Sequence, residues 1–145
     1  MVWPSLAERI VDEGEYGRVE YAVRSNGRMD VKKWLMEEAG DKIASGFAYY
    51  FDQTCRYGKI INTNQYEKIQ GVDGIYEFKK GAFRIFCYEH ENSDLTKRWI
   101  LVSVYRKGHL DQTKEAVKAR EAVLSFLERE AELETGTSGE SEGKE

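Results

Sequence analysis

Five basic residues stand out in the sequence because they decorate a stretch that is otherwise apolar. They lie in or next to three hydrophobic runs: Lys79, Lys80, Arg84, Arg106 and Lys107. Guanidinium and ammonium groups bind phosphate oxygens, and a guanidinium held on a rigid strand can meet two oxygens at once. The pattern therefore predicts a phosphate-binding surface if the fold brings the ends of the three runs together.

The three runs are predicted to be β-strands that position the basic residues. Ile75–Lys79 and Phe83–Glu89 are separated by three residues around Gly81, a length typical of a hairpin with glycine in the left-handed conformation. Trp99–Tyr105 is almost wholly apolar, which indicates a central strand buried on both faces. The hypothesis is that the basic side chains converge on one edge of this sheet and form a phosphate clamp.

The rest of the chain supplies helices and one further strand. Arg18–Arg24 alternates apolar and polar residues, which predicts a half-buried strand, and helices that begin near Asp30 and Asp41 form an αα-hairpin. A last helix begins near Asp111 or Thr113. The predicted fold class is α+β: an N-terminal strand, an αα-hairpin, a three-stranded antiparallel sheet and a C-terminal helix.

The length of 145 residues indicates one domain with a segment on either side. Residues 1–17 are an N-terminal extension, in which a capping-box spacing between Ser5 and Glu8 predicts a short helix as far as Asp12. Residues 18–134 form the folded domain, and 59–71 within it are predicted to be an irregular polar loop. Residues 135–145 are rich in Gly, Ser and Glu, so a disordered acidic tail is expected there.

The net charge of −4 is unevenly distributed along the chain. Residues 128–145 hold seven acidic and two basic residues, whereas residues 75–127 hold ten basic and seven acidic ones. A mildly basic body is compatible with a polyanion as partner, and the acidic tail could shield the basic edge within the same molecule.

The two cysteines, Cys55 and Cys87, make neither a disulfide framework nor a set of metal ligands, so neither a metal nor another cofactor is expected. The sequence has no apolar run long enough to cross a membrane and no leader segment at its start. We therefore expect a soluble, cytoplasmic protein without membrane contact.

Two stretches of sequence, in this order of elements, resemble the RelE/ParE superfamily of toxins from bacterial and phage toxin–antitoxin systems, especially its HigB-like, phage-derived branch. They are GVDGIYEFKKGAFRIFCYE, residues 71–89, and ILVSVYRKGHLDQTKEAVKAR, residues 100–120. That branch has a similar hairpin, then a strand that ends in basic residues, then a helix with alanine and arginine, here Ala116 and Arg120. The resemblance covers about residues 19–127.

The resemblance implies a RelE-like fold and the toxin component of a type II toxin–antitoxin system. Such toxins are typically ribosome-dependent endoribonucleases that cut messenger RNA, so the implied partners are a cognate antitoxin, the ribosome and messenger RNA. Members of the ParE branch instead inhibit DNA gyrase. A non-catalytic module that binds a protein such as gyrase, or a phage or host interaction protein that shares the fold, stays open as the alternative.

Cleavage by attack of a ribose 2′-hydroxyl on the next phosphate needs a base, an acid and cations, but no metal. Arg84 is the residue expected to hold the phosphate charge, with Lys79 assisting. For proton transfer the imidazole of His109 is favoured, because its pKa lies near neutral pH, and Glu77 is the next candidate, ahead of Tyr88 and Lys79. The further phosphate contacts expected are Arg106, Lys107 and Lys80.

Overall fold

The computed structural model describes residues 2–60, 62–94, 96–108 and 111–143, with side chains described as far as Thr135. Within these ranges the elements are, in order, α1 (Leu6–Arg9), β1 (Ile10–Gly14), β2 (Gly17–Tyr21), α2 (Asp30–Glu37), α3 (Asp41–Tyr57), β3 (Tyr66–Lys68), β4 (Ile75–Lys80), β5 (Phe83–Glu91), β6 (Lys97–Arg106) and α4 (Gln112–Gly143). All the strands belong to one six-stranded sheet, in the order β1-β2-β6-β5-β4-β3.

The α+β class is confirmed, but the prediction of a three-stranded antiparallel sheet is wrong. The predicted strands β4, β5 and β6 form an antiparallel unit, and β2, the predicted N-terminal strand, pairs with β6 in parallel. Between these two strands the αα-hairpin carries the chain to the other edge of the sheet, and β3, β4 and β5 then alternate in direction, so β6 runs parallel to β2. The β2–β6 pair makes the sheet mixed, and β1 and β3 complete it at its two edges by antiparallel pairing.

The two edge strands lie in segments whose sequences do not show strand alternation. α1 has the predicted capping box between Ser5 and Glu8, but it ends after one turn, and β1 takes up residues that were expected to be helical. The β-branched pair Ile10 and Val11 favours this change to extended chain. β3 lies in the segment predicted to be a loop. It is only three residues long, which is too short for an alternation of apolar and polar residues to be recognised.

Helices cover both faces of the sheet, so the domain has three layers. α2 and α3 pack on one face, where Trp99 and Leu101 of β6 are buried among aromatic side chains. α4 packs on the other face, against Ile100 and Val102 of the same strand. Because these four side chains are at most 1 % exposed, the prediction of a central strand buried on both faces is confirmed.

Two glycines are required by backbone geometry at the points where strands begin or turn. Gly17 has φ +148°, and a Cβ at this position would lie 2.0 Å from the carbonyl oxygen of Lys97, so the parallel pairing of β2 with β6 depends on it. Gly81, in the turn between β4 and β5, has φ +58°, as the hairpin pattern predicts.

The N-terminal extension packs on the domain. The rings of Trp3 and Phe126 are stacked with their centroids 5.9 Å apart, and Arg9 donates a hydrogen bond of 2.8 Å to Glu130 of α4. The backbone of α4 itself continues to Gly143, into the segment that the sequence predicts to be disordered. In the described ranges no helix has the length and apolar character needed to cross a membrane.

Candidate nucleic-acid interface

The basic residues that the sequence singles out lie at one end of the sheet. This end is formed by the β4–β5 turn and by the last residues of β6, which are joined where the Lys107 N–H donates to the Ala82 carbonyl at 2.7 Å. We call it the basic rim and define it as Lys79, Lys80, Arg84, Arg106 and Lys107. The strand register decides on which face of the sheet each of these side chains lies.

On the face that carries α2 and α3, two cations flank an aromatic ring. Phe83 is paired with Lys80 on one side and with Arg106 on the other, so the three side chains form a row across β4, β5 and β6. The Arg106 guanidinium carbon lies 5.8 Å from the centroid of the Phe83 ring, a cation–π contact. Trp34 of α2 packs on the same ring at 5.1 Å between centroids.

On the opposite face, Lys79, Arg84 and Tyr105 form a second row across the same three strands. Successive residues of a strand point to opposite faces, so Arg84 and Arg106 are on different sides of the sheet. The structure therefore brings Lys79 together with Arg84, and Lys80 together with Arg106, but it does not bring all of them together. The single clamp expected from the sequence is replaced by two rows, one on each face.

The guanidinium of Arg84 is turned towards the backbone of its own hairpin. Its Nη1 donates to the carbonyl oxygens of Gly81 at 2.8 Å and of Phe83 at 2.9 Å, and the residue is 9 % exposed. These bonds hold the β4–β5 turn. They use only Nη1 of the guanidinium, but because the residue is buried, a role at a phosphate would require the Arg84 side chain to turn outwards.

Lys79 is also engaged within the domain. Its Nζ donates to Glu67 Oε1 at 2.5 Å and to the carbonyl oxygen of Thr63 at 2.8 Å, so it joins β4 to the edge strand β3 and to the preceding loop. By contrast, Arg106 and Lys107 are exposed, and the described part of the chain offers no carboxylate within ion-pair distance of them or of Lys80. Lys80 is half-buried, and its Nζ lies 6.0 Å from the centroid of the Tyr50 ring, so Arg106 and Lys107 are the more accessible of these three cations.

Glu77 is the centre of a buried hydrogen-bond network. It is 2 % exposed, accepts from the Tyr105 hydroxyl at 2.6 Å, and accepts from the Gln112 amide at 2.9 Å. Burial of the Tyr105 hydroxyl and its hydrogen bond to Glu77 raise the pKa of Tyr105. Because both carboxylate oxygens are occupied, Glu77 ties the sheet to the first turn of α4 and is poorly placed as a base for an external substrate.

Sequence reasoning did not identify Tyr105 and Gln112 as partners of Glu77. The signal available was Glu77 itself, a carboxylate in an apolar strand, which needs hydrogen-bond donors when it is buried. Which residues provide these donors depends on how α4 packs on the sheet. His109, the residue favoured for proton transfer, lies outside the described residues, so its role stays a prediction.

Comparisons with known proteins do not extend this picture. No family model matches the chain, and searches of curated proteins and of solved structures find no match. Within the described ranges, no group of three or more His, Cys, Asp or Glu side chains is arranged to hold a metal ion.

Proposed function

We propose that the protein is a RelE/ParE-like toxin of a type II toxin–antitoxin system, which acts in the cytoplasm on messenger RNA at the ribosome and is held inactive by a cognate antitoxin. Two features support this proposal. The stretch from β2 to α4 contains the strand, the αα-hairpin, the three antiparallel strands and the last helix that the resemblance implies, with the short strand β3 added before β4. The basic rim supplies accessible cations at one end of the sheet, where the two stretches that resemble the family, residues 71–89 and 100–120, lie next to each other.

The observation that carries the proposal is the row of Lys80, Phe83 and Arg106, with Lys107 beside it. Cations track the phosphates of a nucleic-acid strand, and an aromatic ring between them offers a surface for a base. Since these cations lack acidic partners in the described ranges, a polyanion can bind them without breaking an existing ion pair. Because Lys80, Arg106 and Lys107 have no carboxylate partner in the described ranges, this part of the rim is locally positive in a chain whose net charge is −4.

In the proposed cleavage step, a base takes the proton of a ribose 2′-hydroxyl and the 2′-oxygen attacks the adjacent phosphorus. The bond from phosphorus to the 5′-oxygen then breaks, and an acid protonates the leaving oxygen. Arg84 and Lys79 would hold the charge on the phosphate after exchanging their present partners, and His109 would transfer protons. The contacts of Glu77 speak against it as the base.

The proposal is tested by inducing expression in bacteria and mapping transcripts by primer extension. We expect growth arrest and cut transcripts, and loss of both in the triple variant Lys80→Ala, Arg106→Ala, Lys107→Ala. The matched control removes three cations elsewhere: Lys59→Ala, Lys118→Ala and Arg129→Ala. Growth arrest with intact transcripts and DNA damage would instead support the gyrase-binding alternative.

Binding can be measured separately from cleavage with a labelled single-stranded RNA and purified protein. Each phosphate contact contributes about −0.7 to the slope of log affinity against log salt for single strands. The triple rim variant should therefore lower the magnitude of the slope by about 2, whereas the matched control should leave it unchanged. Equal slopes in the two variants would exclude the rim as the RNA-binding surface.

A further inference from the structure

A groove of about 300 Å³ lies beside the basic rim, between α2 and the end of β6. We call it the α2–β6 groove. Its lining residues are Arg28, Asp30, Lys33, Trp34, Glu38, Ser103 and Val104. Trp34 connects it with the rim, because the same indole packs on the Phe83 ring over which Arg106 lies.

The floor of the groove is a strand edge without a neighbouring strand. β2 pairs with β6 only as far as Leu101, where the chain leaves the sheet. The Lys107 N–H donates to the β5 side of the strand. In an antiparallel strand the N–H and C=O groups of neighbouring residues point to opposite sides, so those of Arg106, and of Val104 two residues earlier, point away from β5. In the described sheet no strand pairs with them there, so the N–H and the carbonyl oxygen of Val104 can form hydrogen bonds with an occupant.

The walls of the groove carry two basic and two acidic side chains, Arg28 and Lys33 against Asp30 and Glu38. Arg28 and Lys33 both line it, and the side chain of Arg28 is 64 % exposed. Asp30 is balanced by two arginines, since it accepts from Arg24 at 2.9 Å and lies 3.4 Å from Arg28. Glu38 remains as an acceptor for an amino group.

We propose that the α2–β6 groove receives one unpaired nucleobase of a single-stranded RNA whose phosphates lie on the basic rim. This inference rests on the proposed function and names the form of RNA that the site takes. The base would stack against Trp34 and present its edge to the peptide group of Val104, while Arg28 and Arg106 hold the phosphates on either side. Unpaired bases are recognised in this way, by stacking and by hydrogen bonds to their edges, and the bases of a duplex are not available for it.

The test compares two fluorescent probes of equal length with the full-length protein: a ten-residue oligouridine and the same sugar-phosphate chain without bases. Stacking of a base on an aromatic ring predicts that the wild type binds oligouridine about tenfold more tightly than the abasic chain. Trp34→Leu removes the ring on which the base would stack, so this variant should bind the two probes equally, with the wild-type affinity for the abasic one. Trp3→Leu, at an indole that stacks on Phe126 on the other face of the sheet, is the matched control and should keep the preference.

Each outcome bears on a different claim. Equal binding of both probes by the wild type overturns the base-binding groove but leaves RNA binding at the rim intact. A preference that persists in Trp34→Leu also overturns the groove. If neither probe binds, RNA binding at the rim and the groove are both refuted. Should Trp34→Leu fail to fold, Trp34→Phe keeps a ring against Phe83 and should reduce the preference severalfold, and an unchanged preference would count against the groove.

Discussion

The two ends of the sheet use arginine in opposite ways. At the end away from the basic rim, Arg98 donates to Glu20 at 2.6 Å and to both oxygens of Glu130 at 2.9 Å, and Arg9 donates to Glu130 as well. We call these four residues the buried ion network. At the rim, Arg106 is exposed and meets an aromatic ring but, within the described residues, no carboxylate.

This difference separates the charged side chains that stabilise the fold from those that are accessible to a partner. A charge taken out of water is tolerated only when it is paired, and the buried ion network joins α1, β2, β6 and α4 through such pairs. A cation at the rim keeps its water and has no such link to the fold. The sequence shows the same residue type at both ends, so only burial and partners separate the two roles.

The largest expected effect comes from breaking the buried ion network. Arg98→Met removes the partner that Glu20 and Glu130 share and leaves them only Arg18 and Arg9, and removing one partner of a buried ion pair costs about 3–5 kcal/mol in the free energy of unfolding. Arg106→Met at the rim should change it by less than about 0.5 kcal/mol. Urea unfolding of both variants measures the contrast. Similar losses in the two variants would show that the ends of the sheet do not differ as described.

A smaller effect is expected from weakening the hydrogen bonds of Glu77, a buried carboxylate at the rim end. Tyr105→Phe removes a hydroxyl that donates to Glu77 while keeping the ring, so the unfolding free energy should fall by about 1–3 kcal/mol. Tyr49→Phe, at a tyrosine that is 59 % exposed, is the control and should be close to neutral. If Tyr105→Phe were equally neutral, Glu77 would not depend on this donor.

The sequence predicted the elements with strong local patterns. β4, β5 and β6 were recognisable from their apolar runs, the β4–β5 turn from Gly81, and α1 from its capping box. β1 and β3 were missed because edge strands this short carry little pattern. Helices on both faces also escaped prediction, since a single amphipathic helix does not show which face of a sheet it covers.

The candidate site was predicted in its residue types but not in its geometry. Whether Arg84 and Arg106 share a face depends on the register between β5 and β6, and a slip of one residue exchanges the faces of a strand. A register shift between Phe86 and Cys87 adds to this, because it changes which residues are opposite each other along the two strands. Neither the register nor the irregularity can be read from the apolar pattern alone.

The third prediction concerns the pH dependence of the buried ion network. Burial alone would raise the pKa of Glu130, but the hydrogen bonds and charges of Arg98 and Arg9 outweigh this and lower it below its usual 4.5. A carboxyl group with a lowered pKa in the folded state stabilises the fold above its unfolded pKa, and this contribution is lost as the pH falls through the folded value. Wild type should therefore lose stability below about pH 4.5 more steeply than Glu130→Gln in urea unfolding across this range. Parallel curves would contradict the assignment.

The smallest effect is expected from removing the acidic tail, although the charge pattern suggested that the tail shields the basic rim. α4 begins at the rim, where Gln112 donates to Glu77, and runs past the opposite end of the sheet, where Glu130 meets Arg98. With a rise of 1.5 Å per residue, Thr135 lies about 35 Å along the helix from Gln112. Charges at that separation are screened at physiological salt, where the Debye length is about 8 Å. Deleting residues 136–145 should therefore leave both RNA affinity and its salt dependence unchanged, and tighter binding at low salt would mean that the tail folds back along the domain.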